Sequence, residues 1–269
     1  MADAYGLRQL RLTGGEPLLH GSIVRLIEGI RSSVPGLSIA MTTNGRRLGP
    51  MVHDLRAAGL DRLNVSLDSV DAETYRILTG GVLRPVIDGL ERAVDAGFPP
   101  PRLNVVVLAG HNDHQLPDMV SWALRRQMEI RFLEAMPIGP AAEFNRTHFV
   151  PARRMFDILS SRFQMESIDR HPGETAARYS VSDGVLSGKI GIIAPLSESF
   201  CGQCRRVRVT ADGRIFPCLL DDRSQDLRSA WRDGRFDTCE MNTLMESAVS
   251  GKQRSGPMRQ STAMVSLGG

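Results

Sequence analysis

Apolar positions along the chain alternate between two spacings. Short β-branched or aliphatic runs of strand length recur at residues 7–13, 37–43, 62–68, 103–108 and 129–133. Between them apolar residues return at helical spacing: Ile23, Leu26, Ile27 and Ile30; Met51, Leu55 and Ala58; Val86, Ile87, Leu90, Ala93 and Val94; Val120, Ala123 and Leu124. Strand and helix in alternation predict right-handed βαβ units around a parallel sheet, an α/β fold that we read as an incomplete parallel (β/α) barrel. In such a barrel the C-terminal ends of the strands share one rim.

The regular alternation stops near Pro137-Ile138-Gly139-Pro140, which predicts a division into 1–136 and 137–269. Beyond it the pattern predicts a helix over 152–163 and a strand over 190–193. Two more strands, 206–210 and 214–217, are joined by Asp212-Gly213, read as a two-residue hairpin turn. The polar, Gly/Ser-bearing stretch 251–269 reads as a mobile C-terminus.

Composition narrows the class of function. With 269 residues, 42% of them hydrophobic, the chain can bury a sizeable core. Its net charge of +3 comes from 33 basic and 30 acidic residues that are interspersed, so there is no basic stripe for nucleic acid. The apolar runs are far shorter than a membrane span, and the start lacks a secretory pattern, which predicts a cytoplasmic protein. Four cysteines, three of them clustered, suit metal ligation in a reducing compartment better than disulfides.

The sharpest local signal is Cys201-x2-Cys204 followed by Cys218, with the Asp212-Gly213 turn folding the third cysteine back toward the second. Three thiolates suit an iron–sulfur cluster with one iron open to a non-protein ligand. A zinc site completed by Cys239 stays open as the alternative. Gly14-Gly15-Glu16-Pro17 follows a strand and opens a helix, so its backbone N–H groups can face a polar ligand; an ordinary strand-to-helix loop reads the same residues equally simply. Thr42-Thr43-Asn44-Gly45, Ser66-Leu67-Asp68 and Met136-Pro137 end other strands, and a shared rim would converge them on one cavity. Arg206 and Arg208 alternate with Val207 and Val209, and Arg11, Arg102 and Arg131 lie in or beside core strands, placements that are costly without an anionic partner. The six histidines show no metal-ligand spacing with the cysteines.

Taken together, Arg11-Leu-Thr-Gly-Gly-Glu-Pro17, Thr42-Thr-Asn-Gly45, Asn64-Val-Ser-Leu-Asp68, Arg131-Phe-Leu-Glu-Ala-Met136, Cys201-x2-Cys204-x-Arg206-x-Arg208-x-Thr210-Ala-Asp-Gly213 and the closing Gly268-Gly269 resemble the radical-SAM GTP 3',8-cyclase family of molybdenum cofactor biosynthesis. The resemblance implies an enzyme, a lyase that turns GTP into the cyclic pyranopterin precursor. The deoxyadenosyl radical from S-adenosylmethionine takes hydrogen from the ribose C3', and the resulting carbon radical adds to purine C8. It implies Gly14, Gly15, Glu16, Asn44, Ser66 and Met136 for S-adenosylmethionine, and Arg11, Thr42, Arg102, Arg206, Val207, Arg208, Gly268 and Gly269 for GTP. Arg11 and Arg131 would be the catalytic pair, with Arg131 between the two sites, and Cys201, Cys204 and Cys218 would hold a 4Fe-4S cluster. Implied partners are GTP, a downstream enzyme acting on the precursor and a second copy of the chain.

Departures from the family pattern leave alternatives open. Its Cys-x3-Cys-x2-Cys motif, which holds the radical-generating cluster, does not occur in this sequence. Gln9 stands where the family has lysine, and Arg102 replaces another lysine, keeping charge but changing hydrogen-bond geometry. The expectation is that the chain taken alone does not cleave S-adenosylmethionine. The alternatives are a non-catalytic fragment that binds GTP or a partner through the C-terminal cluster, and a zinc-binding module.

Overall fold

The computed structural model describes residues 6–170, 173–221, 223–232 and 234–250; the expected C-terminal tail, with Gly268 and Gly269, lies outside the described residues. The elements run β1 Gln9–Leu12, α1 Ile23–Ser33, β2 Ser38–Thr43, α2 Leu48–Ala57, β3 Arg62–Ser66, α3 Ala72–Thr79, α4 Arg84–Asp95, β4 Arg102–Val107, α5 Leu116–Leu124 and β5 Ile130–Glu134. There follow α6 Ala142–Thr147, α7 Ala152–Ser160, β6 Gln164–Ile168, β7 Ala177–Ser182, β8 Ser187–Ile193, β9 Arg208–Val209, β10 Arg214–Phe216, β11 Gln225–Asp226, β12 Trp231–Arg232, β13 Arg235–Phe236 and α8 Thr238–Ser250.

Eight strands form one sheet in the order β1-β2-β3-β4-β5-β8-β7-β6. The first five and β8 are parallel, and β6 and β7 are antiparallel, each to its neighbour. Strands beyond Pro137 therefore extend the same sheet, and β1 and β6 remain as two edges of an open rather than closed array. The Asp212-Gly213 turn does make a hairpin between β9 and β10, with Gly213 at φ +81°. It is one residue longer than expected: Thr210 and Arg214 pair across Ala211-Asp212-Gly213 through a 2.9 Å backbone bond. A three-residue loop ending in a left-handed glycine is the usual alternative to the two-residue turn.

Successive strand residues face opposite sides, and here the two sides differ sharply in chemistry. One side carries Ile39, Met41, Leu63, Val65, Leu103, Val105, Ile130, Phe132, Ile190 and Ile192, all sealed from solvent. They share one core with the inward stripes of α1, α2, α4, α5 and α7. The other side can be followed across the sheet by register. Arg11 lies beside Ala40, and Ala40 beside Arg62. Thr42 lies beside Asn64, and Asn64 beside Arg102. Ser66, Asn104, Arg131, Gly191 and Arg178 then form one continuous rung. The helices cover the apolar side, and the polar side is left for ligands.

Helices α2 and α4 meet through glycines. A Cβ on Gly89 would stand 3.1 Å from Leu48 Cβ and 3.3 Å from both Gly45 O and Gly49 N, and those backbone atoms cannot step aside. Helix propensity alone makes Gly→Ala favourable by about 1 kcal/mol, whereas overpacking a tight core costs about 1–3 kcal/mol. Gly89→Ala should therefore lower the urea midpoint; a raised midpoint would mean that the helices have room to separate.

Candidate active site

Each rim loop is fixed by a side chain that the sequence offers for the purpose. The Glu16 carboxylate accepts from Leu18 N (3.0 Å), Thr43 Oγ1 (2.6 Å) and Asn44 N (2.7 Å), which locks the Gly14-Gly15 loop onto the end of β2. The helix expected directly after this loop is a single 3-10 turn, Pro17–Leu19, and α1 begins only at Ile23. Gly14 has φ +135° with open space where a Cβ would be, so backbone can be approached closely there. Asn44 Oδ1 accepts from Arg46 N at 3.0 Å, and Ser66 ends β3. The Asp68 carboxylate accepts from Val106 N at 2.9 Å, and burial pushes its pKa up.

After β5, Glu134 is almost wholly buried. It accepts from Ala152 N (3.0 Å), Leu196 N (2.9 Å), Ser197 N (3.1 Å) and the Ser197 hydroxyl, tying the strand end to α7 and to the segment that leads to Cys201. Met136, two residues on, accepts from Asn145 Nδ2 at 2.8 Å through its backbone oxygen. A cavity of about 260 Å³ is lined by Ala135 and Pro137, the neighbours of Met136 in the chain, with Asn145, Arg146, Phe149 and Leu196, and by none of the five expected arginines.

The expected arginines do converge. Arg11 feels Arg206, Arg131, Arg102 and Arg208, and burial together with these four like charges holds its pKa down to about 10. Burial also lowers Arg102, with Arg131 as the next cause, and lowers Arg206 and Arg208. Arg11 and Arg206 are both exposed to solvent, although much protein lies around each of them. Arg206 Nη2 donates to the buried Thr175 hydroxyl at 2.6 Å. Thr42 shares the same side of the sheet, two residues past Ala40, the register partner of Arg11. Val207 is half-buried between its two arginines.

Two charged residues of this region stood outside the site residues expected from the sequence. Arg178 on β7 occupies the Arg131 rung, is sensed by Arg102, lies 3.7 Å from Glu174, and has a buried Nε with no hydrogen-bond partner. Glu129 pairs with both Arg131 and Arg102. The Glu129/Arg131 alternation with Ile130/Phe132 was readable as one strand face; the Arg178 position needed the sheet register.

Cys201, Cys204 and Cys218 are free, half-buried thiols. Cys218 Sγ accepts from Leu220 N at 3.4 Å, and Cys204 and Cys218 both lie within electrostatic reach of Arg208. Soft, partly buried sulfurs with an N–H donor and nearby cations fit the ligand set of an iron–sulfur cluster. Cys239 is exposed on α8, and among the described residues no three His, Cys, Asp or Glu side chains gather around one metal ion, Cys201, Cys204 and Cys218 included, so the donor chemistry suits a cluster while the three sulfurs are not drawn together into a ligand set. His111 and His148 pack against Phe144, with ring centroids 5.5 and 4.2 Å from it.

Comparison with known proteins decides the family. Residues 1–123 match the Radical SAM superfamily model, and residues 128–257 match Molybdenum Cofactor Synthesis C. A GTP 3',8-cyclase of Moorella thermoacetica is 38% identical across all of this chain and 84% of its own length. The chain belongs to the GTP 3',8-cyclase family. A second GTP 3',8-cyclase, from Paenarthrobacter nicotinovorans, is 41% identical over 86% of this chain and 68% of its own. The crystal structure of Streptococcus suis SuiB bound to precursor peptide SuiA shares the fold at a TM-score of 0.56 and 13% identity, covering 94% of this chain; the chain spans 57% of that structure.

A prediction follows for this GTP 3',8-cyclase family member in its ligand-free form. The fold holds the Arg11 pKa down to about 10, below the usual guanidinium range, so the folded state disfavours its charge, by an amount that solvent screening of this exposed side chain keeps small. That penalty is present in full below about pH 10 and is relieved as pH rises from there toward the ordinary guanidinium range. Arg11→Met should therefore raise the ligand-free Tm at pH 7.5 by on the order of 1–3 °C in a scanning fluorimetry experiment. A fall in Tm would show that the arginines are not in mutual repulsion.

Proposed function

We propose that the arginine recess is the seat of the GTP triphosphate, in an enzyme of molybdenum cofactor biosynthesis that converts GTP to the cyclic pyranopterin precursor. The carrying observation is the convergence of Arg11, Arg102, Arg131, Arg206 and Arg208 next to Cys204 and Cys218. Like charges gathered on one partly exposed face are relieved when a polyanion joins them, and guanidinium forks match phosphate oxygens two at a time. Thr42 and the backbone at Val207 join this seat in our reading, as do Gly268 and Gly269. Gly14, Gly15, Glu16, Asn44, Ser66 and Met136 hold S-adenosylmethionine at the rim, and Cys201, Cys204 and Cys218 hold a 4Fe-4S cluster. When bound, these groups supply one-electron radical chemistry and an iron site for the purine.

The chain's own residues do the rest. Arg206 and Arg208 neutralise phosphate charge next to the cluster loop, Arg102 and Arg131 do so from the sheet, and Arg11 closes the β1 side. Fixing the triphosphate fixes the ribose, so that C3' meets its hydrogen acceptor and C8 lies within bonding reach of C3'. The Gly14-Gly15 loop offers backbone N–H groups to a carboxylate. The Glu16 carboxylate, with three of its roughly four lone-pair positions already used, keeps one for an ammonium.

In the same reading 1–136 carries the S-adenosylmethionine side and 137–269 carries the cluster, whereas the family matches end at 123 and begin at 128, so that Arg131 and Met136 fall in the second match. Among the described residues no helix is long and apolar enough to cross a membrane, and free thiols suit the reducing cytoplasm. A downstream enzyme taking the precursor, and self-association into a homodimer, belong to this reading.

Two measurements test it. In calorimetry on the anaerobically purified chain, Arg11→Met should weaken GTP binding on the order of 10- to 100-fold while leaving guanosine binding within two-fold, because charged hydrogen bonds contribute about 1.5–3 kcal/mol. Equal loss for GTP and guanosine would contradict a triphosphate role. Replacing Cys201, Cys204 and Cys218 together with serine should abolish iron content and visible absorption; retained iron would overturn the cluster assignment.

A further inference from the structure

We infer that Glu129 is a positioning residue for the phosphates, acting through Arg131; the inference rests on the triphosphate reading above. Glu129 immediately precedes β5, and its backbone oxygen accepts from Leu103 N at 2.9 Å, which fixes its place against β4. Its side chain is only 15% exposed. Residues 129 and 131 lie two apart along extended chain, so their side chains leave the same face. Glu129 Oε1 accepts from both Nε and Nη2 of Arg131, each at 2.6 Å, and Oε2 stands 3.5 Å from Arg102 Nε.

Arg131 is also confined from the side. A Cβ on Gly191, its register partner on β8, would lie 3.1 Å from Arg131 Cγ and 3.1 Å from Ala176 Cβ. The arginine stem therefore lies across a residue that has no side chain to obstruct it. One edge of the guanidinium is engaged by Glu129, and the Nη1 edge is turned away from that carboxylate. A five-donor group on a long, freely rotating stem is thereby reduced to one presented edge before any ligand arrives.

An acidic residue amid arginines has two opposed effects on a polyanion. Its charge repels phosphate, so deleting it should tighten binding. Its grip preorders Arg131, so deleting it should weaken binding, because immobilising such a side chain on binding costs roughly 0.5–1.5 kcal/mol, or about 2- to 12-fold in affinity. The sign of the change separates the two, and removal of the Arg131 guanidinium isolates them.

The test is calorimetric GTP binding to the full chain for the wild type, Glu129→Gln, Glu129→Asp, Arg131→Met and the Glu129→Gln/Arg131→Met double variant, with guanosine as control and Tm and visible absorption recorded for each. Glu129→Gln should weaken GTP binding about 3- to 10-fold with Arg131 present, and tighten it or leave it unchanged in the Arg131→Met background. Glu129→Asp keeps the charge but retreats by one methylene, and should also weaken GTP binding with Arg131 present. Guanosine binding should stay within two-fold throughout. GTP binding tightened or unchanged by both Glu129 variants with Arg131 present would overturn the inference while leaving the triphosphate seat intact. Equal weakening in both backgrounds, or loss of guanosine binding in parallel, would overturn it by assigning Glu129 a merely structural role. Absence of GTP binding by the wild type would overturn the triphosphate reading and the inference together.

Discussion

Guanidinium groups crowded against one another repel by about 4 kcal/mol per pair at 4 Å in the effective dielectric typical near a protein surface, and by less as water and salt enter. The recess gathers Arg11, Arg102, Arg131, Arg206 and Arg208 into mutual influence, with Arg178 sensed by Arg102 at the far side. Opposing charges among the described contacts include Glu129 against Arg102 and Arg131, and Glu174 against Arg178. A fold that holds such a group must be stabilised elsewhere, and must gain when a polyanion arrives.

The stabilisation comes from the opposite side of the same strands. Period-two alternation gives each strand one apolar and one polar face, so the sealed layer of Ile39, Met41, Val65, Leu103, Val105 and Phe132 is the reverse of the layer that bears the arginines. Rigid strand ends complete the frame. Glu16 locks the first loop to β2, and Asn112 bonds Leu108 N, Asp68 O and Val106 O together beyond β4. Glu134 anchors the segment leading to Cys201, so that the thiols and the strand-borne arginines are held on one scaffold.

Much of this was readable from residues alone. The five parallel strands β1 to β5 and the helices α1, α2, α4 and α5 follow from clear periodicity, though α3 was not foreseen, and the Cys201, Cys204, Arg206, Arg208 spacing pointed to charge beside sulfur. Strands β6 and β7 were not foreseen, because Gln164–Ile168 and Ala177–Ser182 mix polar and apolar residues at a sheet edge where neither face is fully buried. Arg178 and Glu129 escaped for different reasons. The place of Arg178 depends on which residues stand side by side across strands, a register set by tertiary packing rather than by local pattern, whereas Glu129, readable on the Arg131 face, needed the ion-pair geometry to Arg131 and Arg102.

The central claim is that a repulsive recess is relieved by a triphosphate, and its most direct measurement is the Tm of the intact chain at fixed pH under three conditions. These are low salt, sodium chloride raised to about 0.3 M, where the screening length falls below the usual ~8 Å, and inorganic tripolyphosphate at low salt with the ionic strength matched by chloride in a control. The account predicts that chloride raises Tm modestly by screening, and that tripolyphosphate raises it well beyond its matched control. A Tm lowered by chloride, with tripolyphosphate no different from its control, would contradict it.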